Sequence, residues 1–270
     1  MGDIIIIPAR YGSKRLPGKP LIKIAGKTLL QRVISIAMQA KSIVDHVDVV
    51  VATDDKRIAE HCNNLKIESI ITDSAINSGS GRALEACKLL SVKPKFIINL
   101  QGDAPFITPE YLSQILTTAR EQDQEITTPV IQLSWAELDK LRIRKKETPF
   151  SGTTCTRSND GKAYWFSKAI IPAIRNEHTL RETDALSPVY QHLGLYCYRY
   201  DILEQYQNSE ESSYEVLEGL EQLRLIQMGV TIQTVVVDSG KFLMSGIDSP
   251  LDVENAETLI QQYGEPYIQW

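Results

Sequence analysis

The sequence predicts an α/β protein with a mostly parallel central sheet and helices on both faces. Three observations carry this: short β-branched runs alternate with longer segments of helical period, the first run is apolar throughout, and a cation-rich loop follows it. Ile4 to Ile7 reads as a central strand buried on both sides. Leu29 to Met38 has helical spacing, Val47 to Val51 is the next strand, and Lys56 to Cys62 is a short helix. Ile67 to Ile71 is a weaker strand, interrupted by Glu68 and Ser69; Arg82 to Leu90 is a helix and Phe96 to Leu100 a strand. Pro109 to Ala119 is a helix with Thr108 as its N-cap.

The middle of the chain breaks this rhythm. Residues 140 to 190 are polar and turn-rich, with one strand-like run at Ala163 to Phe166 and then Ile170-Ile171-Pro172; Leu193 to Tyr198 reads as another strand. This reads as an insertion at about 140–200, a lid over the active edge of the sheet or a dimerisation region. Glu215 to Met228 reads as one helix, Val230 to Val237 as a strand and Pro250 to about Tyr263 as the closing helix. The expectation is a single domain over 1–270, a size compatible with one large core.

Composition narrows the function classes. A net charge of −5 argues against nucleic acid as partner. Four scattered cysteines form no C-x-x-C pair and four histidines show no zinc spacing, which suits a reduced compartment. No stretch has the length and apolarity to cross a bilayer and the start lacks a basic leader, so the expected location is the cytoplasm, without stable membrane association.

In open α/β sheets ligands bind beyond the carboxyl ends of the strands. After the first strand, residues 8–21 carry Arg10, Lys14, Arg15 and Lys19, with Gly12 and Gly18 among them. Arginine clamps phosphate oxygens in pairs, lysine adds a point charge, and glycines bring backbone N–H groups to anions. The pattern is not G-x-x-x-x-G-K-[ST]. The plain alternative is a solvated basic turn. Asp103, just past the Phe96 strand, is placed to hold magnesium against phosphates or to cap a turn. Asp248 offers a second carboxylate, although it or Ser249 also fits as the cap of the Pro250 helix. Asn77 to Arg82 enters a helix, a site suited to anions or carbonyls, or else a flexible loop. His192, alone on a tyrosine-rich strand, reads by itself as a packed core residue. Glu215 and Glu218 read as a solvated helix face.

The stretch from Ile7 to Leu21, ending Leu16-Pro17-Gly18-Lys19-Pro20-Leu21, resembles the opening of the 3-deoxy-manno-octulosonate (Kdo) cytidylyltransferases. So do Gln101-Gly102-Asp103, Gly246 to Asp252, Ser78-Gly79 with Arg82, Gly161 to Pro172, Gln191 to Arg199 and Leu220 to Arg224. The resemblance spans roughly residues 3 to 262, thinning at 120–148 and 175–188. It implies a nucleotide-diphospho-sugar transferase-like fold, a homodimer, and transfer of CMP from CTP to an acidic eight-carbon sugar for lipopolysaccharide biosynthesis. It also implies that Lys19, Asp103 and Asp248 are catalytic and that the two aspartates hold Mg²⁺. Nucleotide contacts are implied for Ala9, Arg10, Gly12, Ser13, Arg15 and Lys19, and across the cleft for Ser78, Gly79, Arg82 and Gln101. Sugar contacts are implied for Ser167, Lys168, His192, Tyr196, Glu221 and Gln222.

Val51 to Asp55 also matches; Asp54 or Asp55 is expected to cap the Lys56 helix, with Thr53 available to the nucleotide, and Asp252 is expected to be structural. Ser80, Gly81 and Ala104 depart, and Gly81 and Ala104 stand where the family usually has acids. They keep open a different acidic sugar, an amino variant of Kdo or a sialic-type acid, and a nucleotide-sensing module that lacks the chemistry. A glycosyltransferase on a similar sheet would usually carry Asp-x-Asp, which is absent.

Overall fold

The computed structural model describes residues 2–13, 15–91, 93–240 and 246–269. β1 (Asp3–Ala9) is apolar from Ile4 onward because both its faces are covered: Ile5 and Ile7 enter one core, Ile4 and Ile6 the other. A 3-10 turn at Lys19–Leu21 leads to the short hairpin of β2 (Lys23–Ile24) and β3 (Lys27–Thr28). The Thr28 side chain caps α1 (Leu29–Ile43) by accepting from Gln31 N. Then come β4 (Val47–Thr53), α2 (Lys56–Asn64), β5 (Ser69–Ile71), α3 (Gly79–Leu89), β6 (Phe96–Asn99) and α4 (Pro109–Gln122). β7 (Ile126–Ser134) runs into α5 (Trp135–Glu147), which opens on a Ser134–Glu137 capping box.

β8 (Thr153–Arg157), β9 (Ala163–Ser167), α6 (Glu177–Thr183), β10 (Leu186–His192), β11 (Tyr196–Arg199) and α7 (Tyr200–Gln207) follow. α8 (Ser213–Glu218), α9 (Gln222–Gln227), β12 (Ile232–Val236) and α10 (Pro250–Tyr263) complete the chain.

One ten-stranded sheet has the order β5-β4-β1-β6-β11-β7-β10-β8-β9, with β12 added on β7. The β5–β4–β1–β6 half is parallel, as is the β12–β7 pair; the ladders joining β6, β11, β7, β10, β8 and β9 are antiparallel. The stretch at about 140–200 therefore continues the sheet through β8, β9 and β10 rather than lying over it as a lid. The single helix expected over Glu215 to Met228 is two. Gly219 takes a left-handed backbone (φ 63) and closes α8 on Glu215 O, so the chain turns before α9.

Past α10 the tail folds back on α1. Arg32, almost wholly buried, pairs with Glu265 at 2.5 Å, and Ser35 Oγ donates to Ile268 O. This fastens α10, and with it the segment carrying Asp248, to the first layer of helices.

Candidate active site

The carboxyl ends of β1 and β6, the N-terminus of α3 and the entry to α10 enclose a cleft of about 390 Å³. Ala9, Arg10, Ser13, Arg15, Lys19, Ser78, Gly79, Arg82, Gln101, Asp103 and Asp248 all line it, and Pro8, Pro20, Asn77 and Gly102 complete it. Gly12 is exposed and is not among the lining residues, because the loop turns outward there. Lys14 lies outside the described residues.

Lys19 stands at the centre. Gly18 reaches a left-handed φ of 68, and any Cβ there would press on the Tyr11 ring at 3.1–3.3 Å. The turn so formed aims Lys19 Nζ between Asp103 Oδ2 at 2.6 Å and Asp248 Oδ1 at 3.1 Å. Arg15 also reaches Asp248 Oδ1, at 3.1 Å. Burial works against the Lys19 ammonium, but Asp103 and then Asp248 outweigh it and hold its pKa above the ordinary lysine value.

Asp103 follows Gly102, where a Cβ would lie 2.6 Å from Pro8 O; only glycine lets this loop close on β1. Ile247 N donates to Asp103 O at 2.9 Å and ties the two aspartate segments together. Ser249, not Asp248, caps α10, in a capping box with Asp252. Asp252 Oδ2 also accepts from Asp248 N at 2.9 Å, so it fixes the backbone that presents Asp248.

Around the rim, Ser78 caps α3 by accepting from Gly81 N at 3.0 Å. Arg82 lines the cleft but its guanidinium is committed to protein: it bonds Thr72 Oγ1, Ile76 O at 2.8 Å and Asp54 at 3.3 Å. Burial pushes its pKa down, Asp54 opposes this, and Arg10 adds like-charge repulsion. Thr53, offered to the nucleotide by the sequence, is fully buried in β4 and lies outside the cleft. Asp55 is the cap of α2, accepting from Arg57 N at 2.9 Å, which leaves Asp54 for other contacts.

The expected sugar residues form a separate, contiguous group. None lines the 390 Å³ cleft. Ser167 Oγ and Lys168 N both donate to Glu218, at 2.8 and 2.7 Å. The His192 ring lies 5.0 Å from that of Phe166 and 5.3 Å from that of Tyr196. Ser80 Oγ donates to Glu221 Oε2 at 2.9 Å, joining this group to the N-terminus of α3. Glu221 faces a second cavity of about 520 Å³, which shares Asn77 and Ser78 with the cleft.

Gln222 is buried with no hydrogen-bond partner for Nε2, a donor that a ligand hydroxyl would satisfy. Neither Glu215 nor Glu218 is a solvated face: Glu215 is buried against Arg224, and Glu218 holds β9. The sequence reading missed both because it assumed one straight helix. Ser80, which it treated only as a departure, is the link to Glu221.

Thr128 Oγ1 lies 2.8 Å from His192 Nε2 and donates its one proton to Leu195 O at 2.7 Å. His192 must therefore donate from Nε2, leaving Nδ1 as an acceptor. Burial, with Lys168 adding to it, lowers its pKa from 6.5 to about 3. Between those values the unfolded chain binds the extra proton and the fold does not, so this histidine's contribution to stability is lost as pH falls from 6.5. We expect His192→Gln to gain on the unsubstituted protein as pH drops from about 7 to about 4.5, read as the urea midpoint difference. Midpoints that fall in parallel would show that His192 does not titrate in this way.

The Cytidylyltransferase family profile matches residues 4–232. A 3-deoxy-manno-octulosonate cytidylyltransferase of Maricaulis maris is 39% identical over 98% of this chain and 99% of its own length. One from Cytophaga hutchinsonii is 39% identical over 93% of this chain and 94% of its own. Among solved structures, a CMP:2-keto-3-deoxy-manno-octonic acid synthetase complexed with CTP superimposes with a TM-score of 0.82 at 34% identity, covering 97% of this chain and 99% of that one. By profile, sequence and fold alike, the chain belongs to the cytidylyltransferase family, within its 3-deoxy-manno-octulosonate branch.

Proposed function

We propose that the protein transfers CMP from CTP to the anomeric hydroxyl of Kdo, giving CMP-Kdo and pyrophosphate. The observation that carries this is the convergence of Asp103 and Asp248, from distant parts of the chain, on Lys19 inside a cleft floored by the cationic loop. The relatives named above supply the sugar and the nucleotide.

Arg10, Arg15 and Lys19 hold the β- and γ-phosphates and neutralise the charge that grows on the leaving pyrophosphate. The sugar oxygen attacks the α-phosphorus in line; the new P–O bond forms as the bond to pyrophosphate breaks, and the hydroxyl proton leaves to solvent. Catalysis rests on positioning and charge compensation, with no covalent enzyme intermediate. Glu221, Gln222 and His192 Nδ1 offer acceptors and a donor for sugar hydroxyls; Lys168 offers a cation for the sugar carboxylate.

Asp103 and Asp248 fit Mg²⁺. Their oxygens face a common point already favourable to a cation, marked by Lys19 Nζ. Among the described residues no group of three or more candidate ligands occurs, and two carboxylates completed by phosphate oxygens and water are what magnesium accepts. When bound, the ion supplies positive charge to the phosphates and acidity to the sugar hydroxyl.

The assay is pyrophosphate release with CTP, Mg²⁺ and Kdo, with other nucleotides and acidic sugars as controls. Release that needs both CTP and Kdo supports the reading; absence of release with every pair sinks it. A second reading, another acidic sugar, is favoured by Gly81 and Ala104. The space a side chain would need at Gly81 is taken by Gln207 Oε1, 2.9 Å from the Cβ position, so a neutral amide stands there. Release with an amino-substituted sugar alone would select that reading.

The homodimer belongs to the same proposal. β9 ends the sheet, and Tyr164, Tyr214, Val216 and Leu217 around it are exposed apolar side chains suited to a second copy. Four unpaired, buried cysteines suit the reducing cytoplasm, where the activated sugar would enter lipopolysaccharide biosynthesis. Among the described residues no helix is long and apolar enough to cross a membrane.

A further inference from the structure

Of the two aspartates after β4, Asp54 bonds the cationic loop directly and Asp55 reaches it through Arg57; neither lines the cleft. Asp54 Oδ1 accepts from Tyr11 N at 3.3 Å, and Oδ2 accepts from Arg82 at 3.3 Å. Its side chain is only 13% exposed. Tyr11 is where the loop closes on itself, its carbonyl accepting from Ser13 N at 2.9 Å and Gly18 N at 3.1 Å. Its ring is flanked by Gly18 and by the Arg57 guanidinium, 3.4 Å from the ring centroid. Asp55 holds Arg57 in that place, accepting from Nε at 2.9 Å and from a terminal nitrogen at 2.6 Å.

We infer that Asp54 is a positioning residue for the triphosphate: one carboxylate fixes both cationic walls of the cleft, the loop through Tyr11 N and the start of α3 through Arg82. Arg82 in turn bonds Ile76 O, so the segment leading to Asn77 and Ser78 moves with it. The geometry separates the two oxygens by function. Oδ1 needs only to accept, and an amide oxygen serves; Oδ2 must also carry charge, because Arg82 is buried and faces Arg10. A carboxylate acting only as a helix cap would show neither dependence, and the cap is Asp55.

The inference rests on the CTP reading for its kinetic half alone. Asp54→Ala and Asp54→Asn are compared with the unsubstituted protein by hydrogen exchange at the Tyr11 amide and by KM for CTP and for Kdo. The expected result is faster Tyr11 exchange in Asp54→Ala, with Asp54→Asn close to the unsubstituted protein. KM for CTP rises about tenfold in Asp54→Ala and less in Asp54→Asn, while kcat and KM for Kdo change little. Unchanged Tyr11 exchange in Asp54→Ala would overturn the inference. So would a uniform rise in exchange across the protein with KM for CTP unaltered, the signature of a fold contact only. Failure of the CTP reading looks different: the unsubstituted protein itself releases no pyrophosphate, and the Tyr11 exchange comparison then decides Asp54 by itself.

Discussion

Asp103→Asn is expected to lower kcat for pyrophosphate release by about 10³-fold while leaving the thermal midpoint near that of the parent. The amide keeps the shape of the carboxylate and the backbone contact to Ile247, which runs through Asp103 O and not through the side chain. Three things are lost together: the charge facing Lys19 at 2.6 Å, an anionic oxygen for the proposed Mg²⁺, and the fixed direction of the ammonium between two carboxylates. Lys19 keeps Asp248 as a partner at 3.1 Å, so its ammonium is not left unpaired and the fold is little disturbed. Near-parent turnover in a well-folded Asp103→Asn protein would remove Asp103 from the chemistry and, with it, the proposed metal site.

The second large effect is on stability. Glu215→Ala is expected to cost about 3–5 kcal/mol, because it strands the Arg224 guanidinium in a place with little water. Arg224 now meets both Glu215 oxygens, at 2.5 and 2.7 Å, with the two side chains only 13% and 10% exposed. Glu215 also completes the Ser212 capping box that starts α8. Urea unfolding followed by far-UV circular dichroism measures the cost. A Glu215→Leu, Arg224→Met double variant should recover much of it, since the penalty lies in the unpaired charge. A loss below about 1 kcal/mol in Glu215→Ala would mean that the pair behaves as an exposed one. Because Glu221 and Gln222 follow the same break in the helix, KM for the sugar is expected to rise in Glu215→Ala before KM for CTP does.

Much of the nucleotide half was legible in the residues. Its central strands β1, β4 and β6 are largely apolar, its helices begin at Thr28, Asp55, Ser78 and Thr108, and its loops carry the cations and the first aspartate within short stretches. Local signals suffice where each element is decided by its own side chains. β7 shows the limit. Pro129 speaks against a central strand, yet on one edge β7 pairs with β11 up to Thr127 and with β10 from Val130, so there the proline falls between two ladders, while on the other edge it stands opposite Val235 of β12. Nothing near Pro129 in the chain reveals that its neighbours change there.

The sequence by itself determined the α/β class, the family, and the residue types at the strand ends that suit a triphosphate. Tertiary structure alone decided which of two adjacent aspartates caps a helix and which reaches back to Tyr11. It also decided that residues 140–200 extend the sheet, that Glu215 is buried and that Glu218 is tied to the end of β9. Composition and spacing record what each residue can do locally. Pairing across the chain depends on which segments folding brings together, and burial then fixes which charges must find a partner.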